Sequence, residues 1–485
     1  MRTGRRHQDR GGHRQRRGVV NPRPEPLVVS LSNHERGLVL SLSKDERRGP
    51  PPLREDAPRF IVVLASNLRL YTGRWADMRD VAIVGVGMTR FGKFLDRGLK
   101  DLAREAVEAA LDSAGMEKKA IETAVVGNAV AGLITGQECI RGQVVLREMG
   151  IGGIPIINTE NACASSSTAL HLAWLYVASG VHDVALAVGM EKLYHEDKQR
   201  SFQAIGAAVD VEAMRHLMEM LAASAPKRES GDGGEGASQK RSMFMDLYAM
   251  AARTHMARHG TTKEQFARVA VKNHLHGSLN PHAQYRERYS LEEILASPLV
   301  AEPLTRLMCS PIGDGAAAAV LVPADKARQY TGKPVFIKAS VVGSGQDHGP
   351  DDPGISERLS RQAYEMAGVS PRDLNVVELH DATAPAELML YEELGLCAPG
   401  EGGKLIDTGF TELTGPMPVN TSGGLISKGH PVGATGVAQI CEMFWQLRGE
   451  CGDRQVPGAK LGMCENGGGM IRGEAAALAV HILST

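Results

Sequence analysis

The strand-like run Asp80-Val81-Ala82-Ile83-Val84-Gly85-Val86-Gly87 is echoed by Val335-Phe336-Ile337-Lys338-Ala339-Ser340-Val341-Val342-Gly343, and this recurrence constrains the fold more than any other feature. After the first copy, Leu102 to Ala114 carries apolar residues at helical spacing. Ala124-Val125-Val126 and Asp183-Val184-Ala185-Leu186-Ala187-Val188 read as further strands. Strands alternating with helices predict an α/β fold with a mainly parallel sheet and helices on its faces, and the echo predicts two related halves.

Those halves span 78–330 and 331–485. Residues 191–300 break the alternation with helices such as Met243 to His259 and with a Gly/Ser-rich stretch, Ser230 to Ser238, and read as an inserted loop domain with a mobile segment. The first 77 residues differ in kind. Eight arginines fall within the first 23 positions, and Ser30-Leu31-Ser32-Asn33-His34-Glu35-Arg36 returns as Ser41-Leu42-Ser43-Lys44-Asp45-Glu46-Arg47. With no amphipathic period, 1–77 reads as disordered or as the product of an upstream start codon, leaving 78–485 as the working protein. Asp9, Glu25 and Glu35 fit a mitochondrial presequence poorly.

Composition removes several function classes. A net charge of −1 gives no global attraction to nucleic acid or to an anionic membrane. The seven cysteines include no C-x-x-C pair, which argues for a reducing, cytoplasmic setting and against a disulfide framework or a structural zinc site. No apolar run approaches the ~20 residues of a membrane-spanning helix.

Chemistry concentrates at four turns. Gly153-Ile154-Pro155-Ile156-Ile157 reads as a short buried strand, and a helical period begins at Ser165 and stops at Gly180, so Cys163 stands at a helix N-terminus. Unpaired N–H groups there favour an anion, which predicts a thiol pKa below the free value of roughly 8.5. The strand Asn375 to Leu379 delivers His380-Asp381 to a helix ending at Gly395. His430 lies in the glycine-rich Gly424 to Gly436 loop, and Cys464-Glu465-Asn466 precedes Gly467-Gly468-Gly469 and the strand Ala475 to Ile482. In open α/β sheets such turns gather at the carboxyl ends of strands. By contrast, Gly85-x-Gly87 lacks the third glycine of a dinucleotide fingerprint and reads as a strand-end turn.

Asn-x-Cys-Ala-Ser-Ser at 161–166, His-Asp at 380–381, Gly-His-Pro-x-Gly-Ala-Thr-Gly at 429–436 and the Cys before the triple glycine at 464–469 occur in the order found in thiolases. The chain resembles that family over 78–485, with Asn280 to Gln284 and Cys309 to Ala318 as supporting stretches. Its His-Asp pair resembles the branch of sterol carrier protein 2 thiolases and archaeal-type acetoacetyl-CoA thiolases. The resemblance implies a duplicated five-layered αβαβα thiolase fold, a homodimer or homotetramer, and coenzyme A thioesters as substrates with no metal or redox cofactor. It also implies that a small OB-fold and zinc-ribbon partner protein accompanies some members.

By the same resemblance, Cys163 is the nucleophile of an acyl-CoA C-acyltransferase, His430 takes its proton, and His380 holds a water or an enolate oxygen. The backbone N–H groups of Cys163, Gly467 and Gly468 form the oxyanion hole. For the second acid/base, Cys464 is the first choice, brought into the site by a one-residue bulge. Glu465, at the spacing most thiolases give to a Cys, is the second. A retro-aldolase or other acyltransferase on this scaffold, a β-ketoacyl synthase, and a non-catalytic acyl- or lipid-binding subunit are the alternatives. The last would not need both Cys163 and His430.

Overall fold

A computed structural model describes residues 78–216, 242–349 and 352–485. The sequence readings of 1–77 and of Ser230 to Ser238 lie outside these. Nine strands form one sheet: β1 (Val81–Met88), β2 (Thr123–Gly127), β3 (Ile156–Thr159), β4 (Ala185–Glu191), β7 (Gly315–Pro323), β8 (Val335–Ser344), β9 (Val376–Glu378), β10 (Leu461–Gly468) and β11 (Ala477–Ser484), while β5 (Leu299–Ala301) and β6 (Leu304–Thr305) make a separate hairpin.

The sheet order is β3-β2-β4-β7-β1-β8-β11-β10-β9. Read outward from the antiparallel β1–β8 seam, each half repeats one plan: first strand, last strand, the strand before it, then the second strand. A third strand parallel to the second completes the first half as β3. In the second half it is reduced to a single parallel bridge between Val377 and Val419. The sheet is mixed. Only β2–β3, β2–β4 and β9–β10 pair in parallel, and every other neighbouring pair is antiparallel. This corrects the expected mainly parallel sheet, because hydrophobic periodicity carries no strand direction.

Helices α1 (Leu99–Ala114) and α2 (Arg141–Glu148) cover the outer face of the first half. Leu102, Val107 and Leu111 of α1 are buried there, each worth about 1.5–3 kcal/mol relative to exposure. The glycines of Gly85-x-Gly87 lie inside β1, not at a strand-end turn. A Cβ on them would meet the α1 carbonyls of Ala110 and Ala106 at 2.4 and 2.3 Å, so they exist for helix–strand contact. Between the halves lie α3 (Ser165–Ala178) and, later in the chain, a helix of Thr435–Arg448. Both are packed in one core with the inner faces of β1, β4 and β7.

The chain between β4 and β7 contributes α4 (Lys198–Gly206), α5 (Met243–His259) and α6 (Lys263–Ser278). Ser242 caps α5 by accepting from the Phe244 N–H, and a Thr262/Gln265 capping box opens α6. Asp314 pins both ends of the segment, accepting from the N–H groups of Leu193 (2.8 Å) and Tyr194 (2.7 Å). α7 (Ile355–Ala367) and α8 (Ala384–Glu393) follow on the second half's outer side, and α9 is Thr435–Arg448.

Candidate active site

β3 is a half-buried edge strand, not the buried one its composition implied. Its chain continues into a tight turn at Ala162–Ala164 that leads directly into α3. Ala162 has φ 46°, a left-handed conformation costly for a residue with a Cβ. Ser165 holds it there, its hydroxyl donating to the Ala162 carbonyl (2.6 Å) and accepting from the Asn161 N–H (3.0 Å). The strained turn projects Cys163 into a cavity of about 1230 Å³ that also meets His380, His430, Glu465 and Gly467 to Gly469.

His430 Nε2 lies 3.2 Å from Cys163 Sγ, and its Nδ1 lies 2.7 Å from Thr435 Oγ1. The Thr435 hydroxyl donates to the Pro431 carbonyl, so its oxygen accepts from Nδ1–H. That assignment leaves the Nε2 lone pair facing the thiol. His380 is oriented the opposite way. Asn466 Nδ2 donates to His380 Nδ1 at 3.0 Å, and the amide is set by the Ser167 hydroxyl, which donates to Asn466 Oδ1 at 3.2 Å. The His380 proton therefore sits on Nε2. One atom each of Cys163, His380 and His430 fall within 4.8 Å of one another, and the two rings meet edge-on with centroids 5.1 Å apart.

Burial governs the charges. It pushes the Cys163 thiol up to about 12, against the N–H groups of Gly469 and of Cys163 itself, which favour the thiolate, with Glu191 and Glu160 pushing further upward. The predicted lowering at a helix N-terminus is overruled, because desolvation of the thiolate exceeds what those N–H groups return. Burial also lowers His380 to about 4 and, with repulsion from His380 and Lys428, takes His430 well below its ordinary value. The pair rests as thiol and neutral imidazole.

β10 places the two residues considered for the second acid/base on opposite faces. Its ladder with β11 runs from Leu461 to Gly468 without a register shift, so no bulge exists. Strand alternation then turns Cys464 into the central core that also holds Phe444 and Cys441, where it is 1% exposed and does not line the cavity. This corrects its assignment to the site. Glu465, on the other face, does line the cavity. Its Oε2 accepts from the His380 N–H at 2.9 Å, and burial raises its carboxyl to about 8.

The triple glycine divides in role. A Cβ on Gly468 would lie 2.1 Å from the Asn161 carbonyl oxygen, and Gly469 has φ 66°. The N–H groups beside the Cys163 sulfur are those of Gly469 and of Cys163 itself, while Gly467 and Gly468 stand opposite Leu478 and Ala477 in the ladder. The Cys163 N–H is among the expected oxyanion donors, and the Gly469 N–H joins it from the next position of the triple glycine. Asp381 is fully buried and does not line the cavity. It accepts from Asn273 Nδ2 (2.8 Å) and from the Leu425 N–H (2.7 Å), tying the His380 loop to α6 and to the segment that leads to His430.

Thr435, Asn466 and Glu191 are the functional residues the sequence reading passed over. The first two stand inside the glycine-rich segments already singled out; Thr435 has its partners, His430 and Pro431, in the same segment, while those of Asn466, His380 and Ser167, lie elsewhere in the fold. Glu191 ends β4, where its carboxylate accepts from the N–H groups of Ala129 (3.1 Å), Val130 (3.3 Å) and Gly433 (2.9 Å).

Residues 81–325 match the family described as Thiolase, N-terminal domain, and residues 355–485 match Thiolase C-terminal domain-like. The chain belongs to the thiolase family. It is 41% identical over 412 residues to an acetyl-CoA acetyltransferase of Methanothermobacter thermautotrophicus, covering 84% of this chain and all of that protein. It is 38% identical over 404 residues to sterol carrier protein 2 of Homo sapiens, covering 81% of this chain and 70% of the relative. A solved structure titled Ltp2-ChsH2(DUF35) aldolase aligns with TM-score 0.66 at 27% identity, over 84% of this chain and 98% of that one. Human mitochondrial 3-ketoacyl-CoA thiolase in complex with CoA shares the fold, with TM-score 0.59 at 18% identity, over 84% and 98% of the two chains. With these matches, the duplicated sheet and the central layer of α3 and α9 are those of the thiolase fold.

Proposed function

We propose that this thiolase is an acyl-CoA C-acyltransferase that cleaves 3-oxoacyl-CoA, or condenses acyl-CoAs, through an acyl-enzyme on Cys163. The observation that carries the reading is the 3.2 Å contact between Cys163 Sγ and His430 Nε2 inside the cavity. Because both groups rest neutral, His430 takes the thiol proton as sulfur attacks the thioester or ketone carbonyl, with no standing thiolate needed. The carbonyl oxygen becomes anionic beside donors already in place, the Gly469 N–H and His380 Nε2–H. One such donor contributes on the order of 3 kcal/mol to the transition state.

The same orientation supports chemistry without a dedicated metal: in the tautomer that Asn466 sets, His380 offers a hydrogen rather than a lone pair. The cavity wall supports acyl groups larger than acetyl. Phe202 and Ile205 of α4 and Phe244, Leu247 and Tyr248 of α5 line it. Thiolysis across 3-oxoacyl-CoAs of increasing length and branching should therefore retain or gain kcat/KM beyond the four-carbon substrate. Preference for the shortest substrate alone would refute the wall assignment. Acetyl-CoA should leave an acyl adduct on Cys163 detectable by mass spectrometry, absent in Cys163→Ala. A wild-type protein without adduct would overturn the acyl-enzyme itself.

Among the described residues no helix is long and apolar enough to cross a membrane. The seven unpaired cysteines support a reducing, cytoplasmic setting for a homodimer or homotetramer active in lipid metabolism. The relative titled with a ChsH2(DUF35) chain supports a small partner protein here too. Light scattering, alone and with a candidate partner, measures both associations.

A further inference from the structure

The acyl-enzyme reading accounts for Cys163, His430 and His380 but leaves the proton at the substrate's α-carbon without a carrier. Cys464 is excluded by the face of β10 on which it lies. We propose, resting on the acyl-enzyme reading, that Glu465 is the catalytic acid/base at that carbon, its carboxyl standing where relatives are expected to use a thiol.

Three observations carry this. Glu465 lines the same cavity as Cys163, His380 and His430. Its carboxyl is aimed by one hydrogen bond, from the backbone N–H of His380 to Oε2, the same residue whose ring lies against His430. Oε1 reaches toward Gly467, within 3.7 Å of where a Cβ on that glycine would lie, and among the described residues no hydrogen bond to it is made. A carboxyl held by one oxygen and free at the other can exchange a proton with a substrate without unfolding its support. Burial, with Glu393 adding to it, raises this group to about 8, so both protonation states are populated near neutral pH, as an acid/base requires.

The cycle balances in the thiolysis direction. Cys163 Sγ bonds to C3 of the 3-oxoacyl-CoA while its proton passes to His430 Nε2. The C2–C3 bond then breaks, its electron pair stays on C2, and C2 takes the Glu465 proton, releasing acetyl-CoA and leaving the shortened acyl group on Cys163. CoA thiol next attacks the acyl-Cys163 carbonyl and gives its proton to the Glu465 carboxylate. Cys163 leaves as thiolate and recovers its proton from His430. Condensation is the reverse.

The test uses the full chain as Glu465→Gln, Glu465→Cys and Cys464→Ala, each checked for folding by circular dichroism. Three quantities are read: Cys163 acylation by acetyl-CoA, exchange of acetyl-CoA C2 hydrogens for deuterium in D2O, and thiolysis rate against pH. Glu465→Gln should still acylate Cys163 but lose exchange and thiolysis by about 10²–10⁴-fold. Glu465→Cys should recover exchange above the Gln variant, and Cys464→Ala should exchange like wild type. Wild-type thiolysis, which needs the protonated carboxyl, should fall as pH rises through about 8. Exchange by a folded Glu465→Gln protein within about tenfold of wild type, with the adduct intact, would overturn the role of Glu465 alone. If Glu465→Gln does not fold, a folded Glu465→Cys protein that acylates but does not exchange overturns it. No adduct on wild-type Cys163 overturns the underlying reading and this proposal with it.

Discussion

The two halves of this protein solve one structural problem and then diverge. In each, a strand beside the second strand carries a buried glutamate near its carboxyl end: Glu191 on β4 and Glu465 on β10. In each, that carboxylate accepts a backbone N–H from the loop after the second strand, Ala129 and Val130 in the first half and His380 in the second. Glu191 also takes Asn128 Nδ2, the Lys192 N–H and the Gly433 N–H, which saturates it. Glu465 takes one donor and faces the cavity. The two carboxyls stand on opposite faces of their strands, Glu191 on the side of the central helices and Glu465 on the other, and hydrogen-bond saturation makes the first a brace while leaving an oxygen of the second free.

The turns into the central helices diverge in the same way. Cys163 and Gly433 each lie two residues before a fourteen-residue helix, α3 or α9, in a three-residue helical turn. One position carries the nucleophile. The other donates its N–H to Glu191 and so fixes the loop that presents His430.

The largest effect that probes this division is at His380, the loop residue the second half turned to chemistry. His380→Ala removes the Nε2–H donor and should lower kcat/KM by about 10²–10³-fold in either direction. Cys163 should remain alkylated by iodoacetamide, because His430 is untouched. Loss of alkylation would make His380 part of the nucleophile's support instead.

A smaller effect tests why the second half ends its strand in three glycines. In Gly468→Ala the new Cβ would meet Asn161 O and Ala164 N, both backbone, so the Cys163 turn has to move. Displacement on the order of 1 Å costs about 10²-fold in rate, and the overpacking costs about 1–3 kcal/mol in stability. Gly467→Ala meets nothing closer than 3.6 Å and should unfold at the wild-type temperature. Equal melting points for both variants would show that the strand yields more readily than the turn.

How far these features are legible in the sequence depends on distance along the chain. Helix Met243–His259 has the bounds its periodicity and its flanking Ser242 and Gly260 imply, since capping and period are local. The four chemical turns are legible because strand, glycine and helix follow one another directly. Cys464 failed because period-2 alternation says that Cys464 and Glu465 face opposite ways, yet the core helix that claims one face begins at Thr435. The Asn466–His380 contact spans 86 residues, and nothing local marks it. The expected pKa fall at Cys163 failed for the same reason: its burial is set by several elements, only one of which is the helix it precedes.

The smallest effect compares the two glutamates directly. Burial raises both carboxyls above the ordinary 4.5, Glu191 to about 7 and Glu465 to about 8. A folded pKa above the unfolded one means the folded state holds its proton more tightly. The stabilisation is complete below about pH 4.5 and is lost as pH rises through the folded value. Glu191→Gln puts an amide NH2 against N–H donors on one side or the other, leaving buried donors unpaired at about 1–3 kcal/mol, and the deficit should narrow as pH rises through about 7. Glu465→Gln faces one donor, which its own carbonyl can accept, so its deficit should be smaller and should narrow only through about 8. Melting curves of both variants against wild type from pH 5 to 9 read the two windows. Equal deficits at pH 5 would mean that the second carboxyl is as tightly braced as the first, and would remove the contrast between them.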